Sequence, residues 1–185
     1  MCIEIEAKLK VDSLQEVGRK LGEVGAEFVA EQLQTDTYFD DAGAVLRSGD
    51  RALRLRRQKA GQKENTFLTY KGAKEKNDFK KRQEIEIEVG NGDLVEKLLS
   101  ELGYEKALVF EKKRRVWQLD DCVVCLDELP LLGSFVEIEG PDGERIADVQ
   151  KKLGMSDLMH IVESYACLMQ QKLHQLGKEQ RQVLL

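Results

Sequence analysis

Four short segments of the chain alternate apolar and charged residues. In residues 3–9, Glu4, Glu6 and Lys8 alternate with isoleucine, alanine and leucine. Side chains at i and i+2 of a strand share one face and lie about 6–7 Å apart. The pattern therefore predicts a strand with two carboxylates and an ammonium group on one side. It recurs at residues 53–56, 82–88 and 135–139.

Longer patterns place the remaining elements. Ser13 and Glu16 form a capping box, and the apolar positions that follow have helical spacing up to Val24. Residues 41–43 are predicted to form a turn that leads to Val45. A long strand is predicted at residues 28–40, and a meander of three strands from about 51 to 89, with a charged loop around 75–78. Three more strands are predicted at 104–119, 122–129 and 134–139. Further helices are predicted at 94–102, 143–153 and 156–176.

Length and patterning predict one domain over residues 1–185, with the helix 156–176 near its end and a short tail after it. The chain has only two prolines and no Pro- or Ser-rich linker. The strand and helix order starting near residue 3 resembles the order starting near residue 82. This similarity indicates either a weak internal duplication or an order of elements that recurs in antiparallel sheets. The last helix is expected to pack against the sheet; dimerisation through it is the alternative, so monomer and homodimer both stay open.

Composition excludes several classes of protein. No apolar stretch approaches the ~18 residues of a membrane span, so neither a signal peptide nor a membrane partner is expected. Four cysteines without a regular framework favour a reducing, cytoplasmic location. A net charge of −5 argues against a nucleic-acid partner. Cys122 and Cys125 fall on opposite faces of a strand, so a core role is expected rather than zinc binding.

The charged strand faces together carry many acids and bases. An ordinary half-exposed sheet would turn them to water. The helices, however, have broad apolar stripes that need the apolar face of the sheet, which predicts an α+β fold: a closed eight-stranded antiparallel β-barrel with a charged lumen and helices packed outside. The acids are Glu4, Glu6, Glu84, Glu86, Glu88, Asp127, Glu137 and Glu139, and the bases are Lys8, Arg54, Arg56, Lys71, Arg82, Lys112 and Arg114.

Such a lumen indicates a charged ligand, because unpaired buried ions are costly. Clustered carboxylates bind hard cations such as Mg²⁺ or Mn²⁺, and several Lys and Arg side chains bind phosphate oxygens. Metal together with a cationic clamp is what phosphoryl or nucleotidyl transfer requires. The residues therefore predict a polyphosphate substrate.

Seven motifs in order resemble the CYTH superfamily, the triphosphate tunnel metalloenzymes. The resemblance covers residue 3 to about 170 and implies an eight-stranded tunnel that binds triphosphate and a divalent metal. It is nearest to the branch related to class IV adenylyl cyclases. The motifs are Glu4-x-Glu6-x-Lys8, Arg54-x-Arg56, Thr69-Tyr70-Lys71-Gly72, Arg82-x-Glu84-x-Glu86, Glu111-Lys112-Lys113-Arg114, Leu126-Asp127 and Gly133-x-Phe135-Val136-Glu137-Ile138-Glu139.

The resemblance also implies roles for individual residues. The implied metal ligands are Glu4, Glu6, Glu137 and Glu139, assisted by Asp127 and Glu86. The implied triphosphate ligands are Lys8, Arg54, Arg56, Lys71, Lys112 and Arg114, of which Lys8, Lys71 and Lys112 are the catalytic candidates. Lys8 could instead neutralise Glu4 and Glu6. Tyr38 and Tyr165 are expected to be core or strand-pairing residues. His160 and His174 are expected at the surface or in packing on the last helix.

Three kinds of function remain open from the sequence. The leading one is a metal-dependent enzyme on a triphosphate, favouring ATP conversion to cyclic AMP and pyrophosphate, with an inorganic, nucleoside or thiamine triphosphatase as the alternative. The second is a noncatalytic polyphosphate- or nucleotide-binding module, which is disfavoured by the two Glu-x-Glu pairs. The third is a purely structural barrel, for which buried cations have no evident use.

Overall fold

The computed structural model describes residues 2–73 and 80–185, without the side chains of residues 2–4, 80 and 81. The predicted charged loop around residues 75–78 lies outside the described residues. The strands are β1 Cys2–Lys10, β2 Glu27–Asp41, β3 Ala52–Ala60, β4 Lys63–Lys71, β5 Lys80–Val89, β6 Tyr104–Leu119, β7 Cys122–Leu129, β8 Gly133–Glu139 and β9 Gln182–Val183. The helices are α1 Leu14–Glu23, α2 Val45–Ser48, α3 Gly92–Glu101, α4 Gly143–Lys152 and α5 Tyr165–Gln175.

The eight long strands form one strongly curled antiparallel sheet. Its order is β2-β3-β4-β5-β1-β8-β7-β6, and β2 also pairs with β6. The β2–β6 ladder is the longest and shifts register between Phe28 and Ala30 and again between Tyr38 and Phe39. Such irregularities bend a strand and increase its twist, which favours curling. The short β9 runs parallel to β6 beside Val109 and Phe110.

The helices α1 and α4 cover the outer face of the sheet. Ser13 caps α1 by accepting a hydrogen bond from the backbone N–H of Glu16 at 3.2 Å, as the capping box predicts. Leu21 of α1 and Ile146 of α4 are fully buried in one cluster with Leu9 of β1 and Ile138 of β8. These strand residues alternate with the charged ones, so the outer face supplies the apolar surface that the helices require.

Helix α5 differs from the expectation that all helices pack outside. Its Tyr165, Met169 and Leu173 belong to a buried cluster with Phe110 of β6 and Phe135 of β8. Phe110 lies two residues before Lys112, and Phe135 two residues before Glu137, so both apolar rings point to the same face as those charged groups. Helix α5 therefore packs against the charged face of the sheet and not against its outer face.

The last helix also begins later than predicted. Residues 156–164 are not helical, and α5 starts after its cap Ser164. The reason lies in β1, which among the described residues pairs with β5 through Cys2–Glu6 and with β8 through Glu6–Lys10. In its second half β1 also forms a bridge between Leu9 and His160, and the Lys8 carbonyl accepts a hydrogen bond from the Ile161 N–H at 2.8 Å. Backbone pairing with β1 replaces two turns of helix.

Two other differences concern short elements. The sequence predicted only a turn before Val45, but the structure forms the one-turn helix α2. The sequence predicted only a short tail after the last helix, and the structure forms β9 there. The helix α2, with four residues, and the strand β9, with two, are too short to show a recognisable periodicity in the sequence. Within the described residues, none of the helices has the length and apolar character needed to cross a membrane.

The packing of α5 makes a first prediction. Met169 is fully buried, whereas Met159 is 87% exposed. Met169→Ala should lower the free energy of unfolding by about 2–5 kcal/mol, because it leaves a cavity between α5 and the sheet. Met159→Ala should change it little. The measurement is urea unfolding followed by circular dichroism, and equal effects of the two substitutions would contradict the packing described here.

Candidate functional site

A charged cavity of about 410 Å³ lies against the face of the sheet that α5 contacts. All eight long strands contribute side chains to it, and all seven basic residues predicted for the charged face line it. The lining residues are Glu6, Lys8, Asp36, Tyr38, Arg54, Arg56, Lys71, Arg82, Glu84, Glu86, Lys112, Arg114, Cys125, Glu137, Glu139, Ser164 and Tyr165.

Asp36 organises the arginines on one side of this charged cavity. Its carboxylate accepts two hydrogen bonds from Arg56, at 2.6 and 2.8 Å, and lies 3.8 Å from Arg54. Burial raises the pKa of Asp36, but the charges of Arg56 and Arg54 outweigh it and hold the pKa well below its usual range. Asp36 is therefore a fixed anion that holds two cations, and the sequence analysis did not include it.

Asp127 of β7 plays the same part for two cations of β6. It is fully buried and accepts a hydrogen bond from Arg114 at 2.7 Å, and one of its oxygens lies 3.4 Å from the Lys112 ammonium. The hydroxyl of Tyr165 donates to it at 2.9 Å. Asp127 was predicted to assist metal binding, but the structure places its oxygens among three donors behind the cavity wall.

Tyr165 links α5 to the charged residues. Its ring lies 4.1 Å below the Lys8 ammonium and 4.9 Å from that of Lys112, so it makes cation–π contacts with both. Burial, and then the charge of Asp127, raise the pKa of Tyr165 well above its usual value, so the hydroxyl stays a donor. The sequence placed Tyr165 in the core; the structure places it in the core and at the cavity together.

Lys8 contacts groups on β8 and in the segment before α5. Its ammonium lies 3.3 Å from Glu137 and donates to the carbonyl of Glu163 at 2.9 Å. Glu137 also accepts a hydrogen bond from Arg114. Glu137 thus joins the cations of β1 and β6, and its predicted role as a metal ligand would compete with these contacts.

Glu86 and Lys71 lie on the β3-β4-β5 side. The carboxylate of Glu86 accepts a hydrogen bond from Thr69 at 2.7 Å and lies 3.5 Å from Arg54. Lys71 pairs with Glu84 at 2.5 Å. Arg54 is buried, yet its Nε makes no hydrogen bond with any described residue. A buried donor of this kind is suited to an anionic ligand.

Glu6 and Glu139 form a pair of carboxylates at another part of the cavity. They are directly opposite each other in the β1–β8 ladder, and both line the cavity. Like charges in directly opposed positions destabilise a sheet. The side chain of Glu4, two residues before Glu6, lies outside the described residues. Glu88, in contrast, bonds with Asn65 and does not line the charged cavity.

Cysteines and histidines contribute little to the site. Cys122 is buried among the outer-face core residues and Cys125 lines the charged cavity, so the two thiols lie on opposite faces as predicted. Burial raises the pKa of Cys125 to about 11, which keeps it a neutral thiol. His160 lies in the bridge with β1, where its ring contacts Gln150 at 3.1 Å, and not on the last helix.

Comparison with known proteins identifies the family. The CYTH domain family matches residues 2–165. The chain belongs to the CYTH domain family. A protein of Methanocaldococcus jannaschii named as a putative adenylate cyclase is 29% identical over 163 residues, covering 88% of this chain and 89% of that protein.

Solved structures show the same CYTH fold. The PH1819 protein of Pyrococcus horikoshii is 29% identical and superposes with a TM-score of 0.79, over 91% of this chain and 99% of that one. A Hippeastrum protein described as a putative adenylyl cyclase with a dominant triphosphatase activity is 20% identical, with a TM-score of 0.68 over 96% and 97% of the two chains. At 20% identity the second likeness shows the fold alone.

The CYTH family binds triphosphate substrates such as ATP, and membership implies use of a divalent metal. The described residues contain no group of three His, Cys, Asp or Glu side chains arranged to hold a metal ion. Mg²⁺ commonly takes only one or two protein carboxylates and completes its shell with water and substrate phosphates. The opposed pair Glu6 and Glu139 fits that mode of binding.

Lys112 gives the CYTH site a titratable cation. Burial, and then the neighbouring charge of Arg114, lower the pKa of Lys112 to about 8, although Asp127 opposes the shift. Lys112 is therefore charged below about pH 8 and becomes neutral above it. A triphosphate binds best to the charged form.

The affinity for inorganic triphosphate should consequently fall as the pH rises from about 7 to about 9, since binding must then return a proton to Lys112. Lys112→Arg keeps its charge over this range and should lose that part of the pH dependence. Calorimetric titration of both proteins at several pH values measures the affinity for inorganic triphosphate. Protonation of the ligand itself changes the affinity of both proteins equally. Identical pH profiles would contradict the role of Lys112.

Proposed function

We propose that this chain is a divalent-metal-dependent enzyme that acts on a triphosphate bound within the curled sheet, with conversion of ATP to cyclic AMP and pyrophosphate as its specific activity. The observation that carries the proposal is the convergence of seven cationic side chains on one cavity, where the buried Arg54 Nε makes no hydrogen bond with the described residues. Several Lys and Arg side chains that converge in this way are suited to the oxygens of a polyphosphate.

The sheet would serve as a closed eight-stranded tunnel with its charges inside. β2 pairs with both β3 and β6, and β6 also pairs with β7. Neither β2 nor β6 is therefore an edge strand, which supports closure of the sheet. Helix α5 would then fill one end of the tunnel, since its apolar side chains pack on the charged face of the sheet. In this arrangement the triphosphate lies among Lys8, Arg54, Arg56, Lys71, Lys112 and Arg114.

The cations would be held ready for the phosphates before binding. Arg56 is fixed by its two hydrogen bonds to Asp36, and Arg114 by those to Asp127. A cation that is already oriented loses little entropy when a phosphate oxygen arrives. We assign Asp36, Asp127 and Tyr165 to this positioning role, since their polar atoms face cations or one another.

Glu6 and Glu139 would hold Mg²⁺ or Mn²⁺, together with Glu4. The ion would supply a positive charge that draws electron density from the phosphate oxygens. Its presence would also relieve the repulsion between the two opposed carboxylates. Glu86, Asp127 and Glu137 would support the cations, because each already contacts a Lys or Arg.

In the proposed reaction the ribose 3′-hydroxyl loses its proton to water and its oxygen attacks the α-phosphorus, while the bond from that phosphorus to the bridging oxygen breaks and pyrophosphate leaves. Negative charge builds on the leaving oxygens, where the cations of the cavity stabilise it. The Methanocaldococcus jannaschii relative supports cyclisation by its name. Hydrolysis is the second candidate, because a protein of the same fold has a dominant triphosphatase activity.

The metal site predicts the effect of removing one carboxylate. Glu139→Gln should lower turnover of ATP at limiting Mg²⁺ by roughly tenfold or more, with partial recovery at high Mg²⁺, because the ligand charge is lost while the shape is kept. Glu88→Gln, on the same face but outside the charged cavity, is the control and should act like the parent protein. Full turnover in excess chelator would refute the metal dependence.

The choice between cyclisation and hydrolysis predicts different products. A cyclase should convert ATP to cyclic AMP and pyrophosphate in equal amounts, and should bind 3′-deoxy-ATP without reacting, because that analogue lacks the nucleophile. Products are separated by ion-exchange chromatography. Equal rates of phosphate release from ATP and 3′-deoxy-ATP would instead identify a triphosphatase.

A further inference from the structure

We propose that Gln32, Gln34 and Gln58 limit the length of the phosphate chain that the charged cavity binds, so that a chain gains affinity up to its third phosphate and none from a fourth. The inference rests on the proposed function and deepens it, because it assigns the residues that decide this limit. We call these three residues the glutamine cluster.

The glutamine cluster lies on the charged face of the sheet, directly beyond a cation. Gln34 is two residues before Asp36 on β2, and Gln58 is two residues after Arg56 on β3. The β2–β3 ladder pairs Asp36 with Arg56 and Gln34 with Gln58 in one continuous register. Alternate residues of a strand share a face, so the glutamines lie one step, about 6–7 Å, beyond the Asp36–Arg56 pair.

Hydrogen bonds hold the glutamine cluster together. The amide nitrogen of Gln34 donates to Oε1 of Gln32 at 2.8 Å and to Oε1 of Gln58 at 2.9 Å. Gln34 is only 2% exposed, whereas the other two glutamines are partly exposed and lie over it. The residues that line the charged cavity include Asp36 and Arg56 but none of the glutamine cluster. The cavity therefore ends at this cluster on β2 and β3.

Strand β6 shows the same change from cations to uncharged residues. In the β2–β6 ladder, Gln34 lies opposite Lys112 and Gln32 lies opposite Arg114. Two residues beyond Arg114, the charged face of β6 carries Val116. On three neighbouring strands, the cations thus give way to amides or to an apolar side chain.

In the other direction, the cations of β6 end at α5. Phe110, two residues before Lys112, packs in the buried cluster that contains Tyr165. Strands β3 and β6 therefore carry cations at only two successive positions of the charged face, between α5 and the glutamine cluster. A short phosphate chain can contact all of these cations, and a longer chain finds no more of them on these strands.

The glutamine cluster is a poor site for a further phosphate. Charge-assisted hydrogen bonds are roughly twice as strong as neutral ones, so an amide does not replace a guanidinium. The Gln34 nitrogen already donates to two neighbours, and its buried Oε1 makes no hydrogen bond with the described residues. This oxygen is an acceptor and repels phosphate oxygens. A fourth phosphate would lose water without gaining a cation.

Gln58→Lys tests the inference by adding a cation one step beyond Arg56. Calorimetric titration measures the affinities for pyrophosphate, tripolyphosphate and tetrapolyphosphate, without divalent metal so that no ligand is turned over. In the parent protein, tripolyphosphate should bind roughly tenfold more tightly than pyrophosphate, and tetrapolyphosphate no more tightly than tripolyphosphate. In the variant, the affinity for tetrapolyphosphate should rise roughly tenfold more than that for tripolyphosphate.

Two further variants control for folding and for net charge. Gln32→Lys places a cation in the same cluster from β2 and should have the same effect on the ratio of the two affinities. Gln62→Lys makes the same change of charge in the exposed turn between β3 and β4, and should leave that ratio as in the parent protein.

The outcomes separate the inference from the proposed function. Failure of the parent protein to bind tripolyphosphate would overturn the proposed function and the inference with it. Tighter binding of tetrapolyphosphate than of tripolyphosphate by the parent protein would overturn the inference and leave the triphosphate site in place. Equal changes for the two ligands in both Gln58→Lys and Gln32→Lys would do the same.

Discussion

The structure depends on one constraint: charges taken out of water must be paired. Asp36 and Asp127 are almost completely buried, and each faces two basic side chains. Removing a single carboxylate from such a set would leave its cations to repel one another in a medium where charges are poorly screened. The curled sheet therefore brings acids and bases from all eight long strands to one place, and apolar clusters lie on its outer face and beside α5.

Pairing in the absence of substrate also shapes how the site works. Arg56, Arg114 and Lys8 already have carboxylate partners, so these cations are oriented before a ligand binds. The family implied by the sequence is confirmed, as are the α+β class and the antiparallel pairing of the eight strands. The metal, the reaction and the roles of single residues stay proposals.

Alternation predicted the strands well, because a strand with one charged face and one apolar face repeats every two residues. It could not predict Asp36, whose neighbours Thr35 and Thr37 are polar and hide the period. Nor could it place Tyr165, since an apolar stripe on a helix does not say which face of the sheet it meets. The apolar residues of 156–164 fitted a helix equally well, but backbone pairing with Lys8 and Leu9 of β1 decided their conformation.

The position of Tyr165 has a consequence for how the protein is made. Helix α5 follows all eight long strands in the chain, so it is synthesised after them. Before α5 packs against the sheet, Asp127 lacks the tyrosine hydroxyl, and Lys8 and Lys112 lack the ring beneath them. The set of buried charges is therefore complete only once α5 has packed against the sheet.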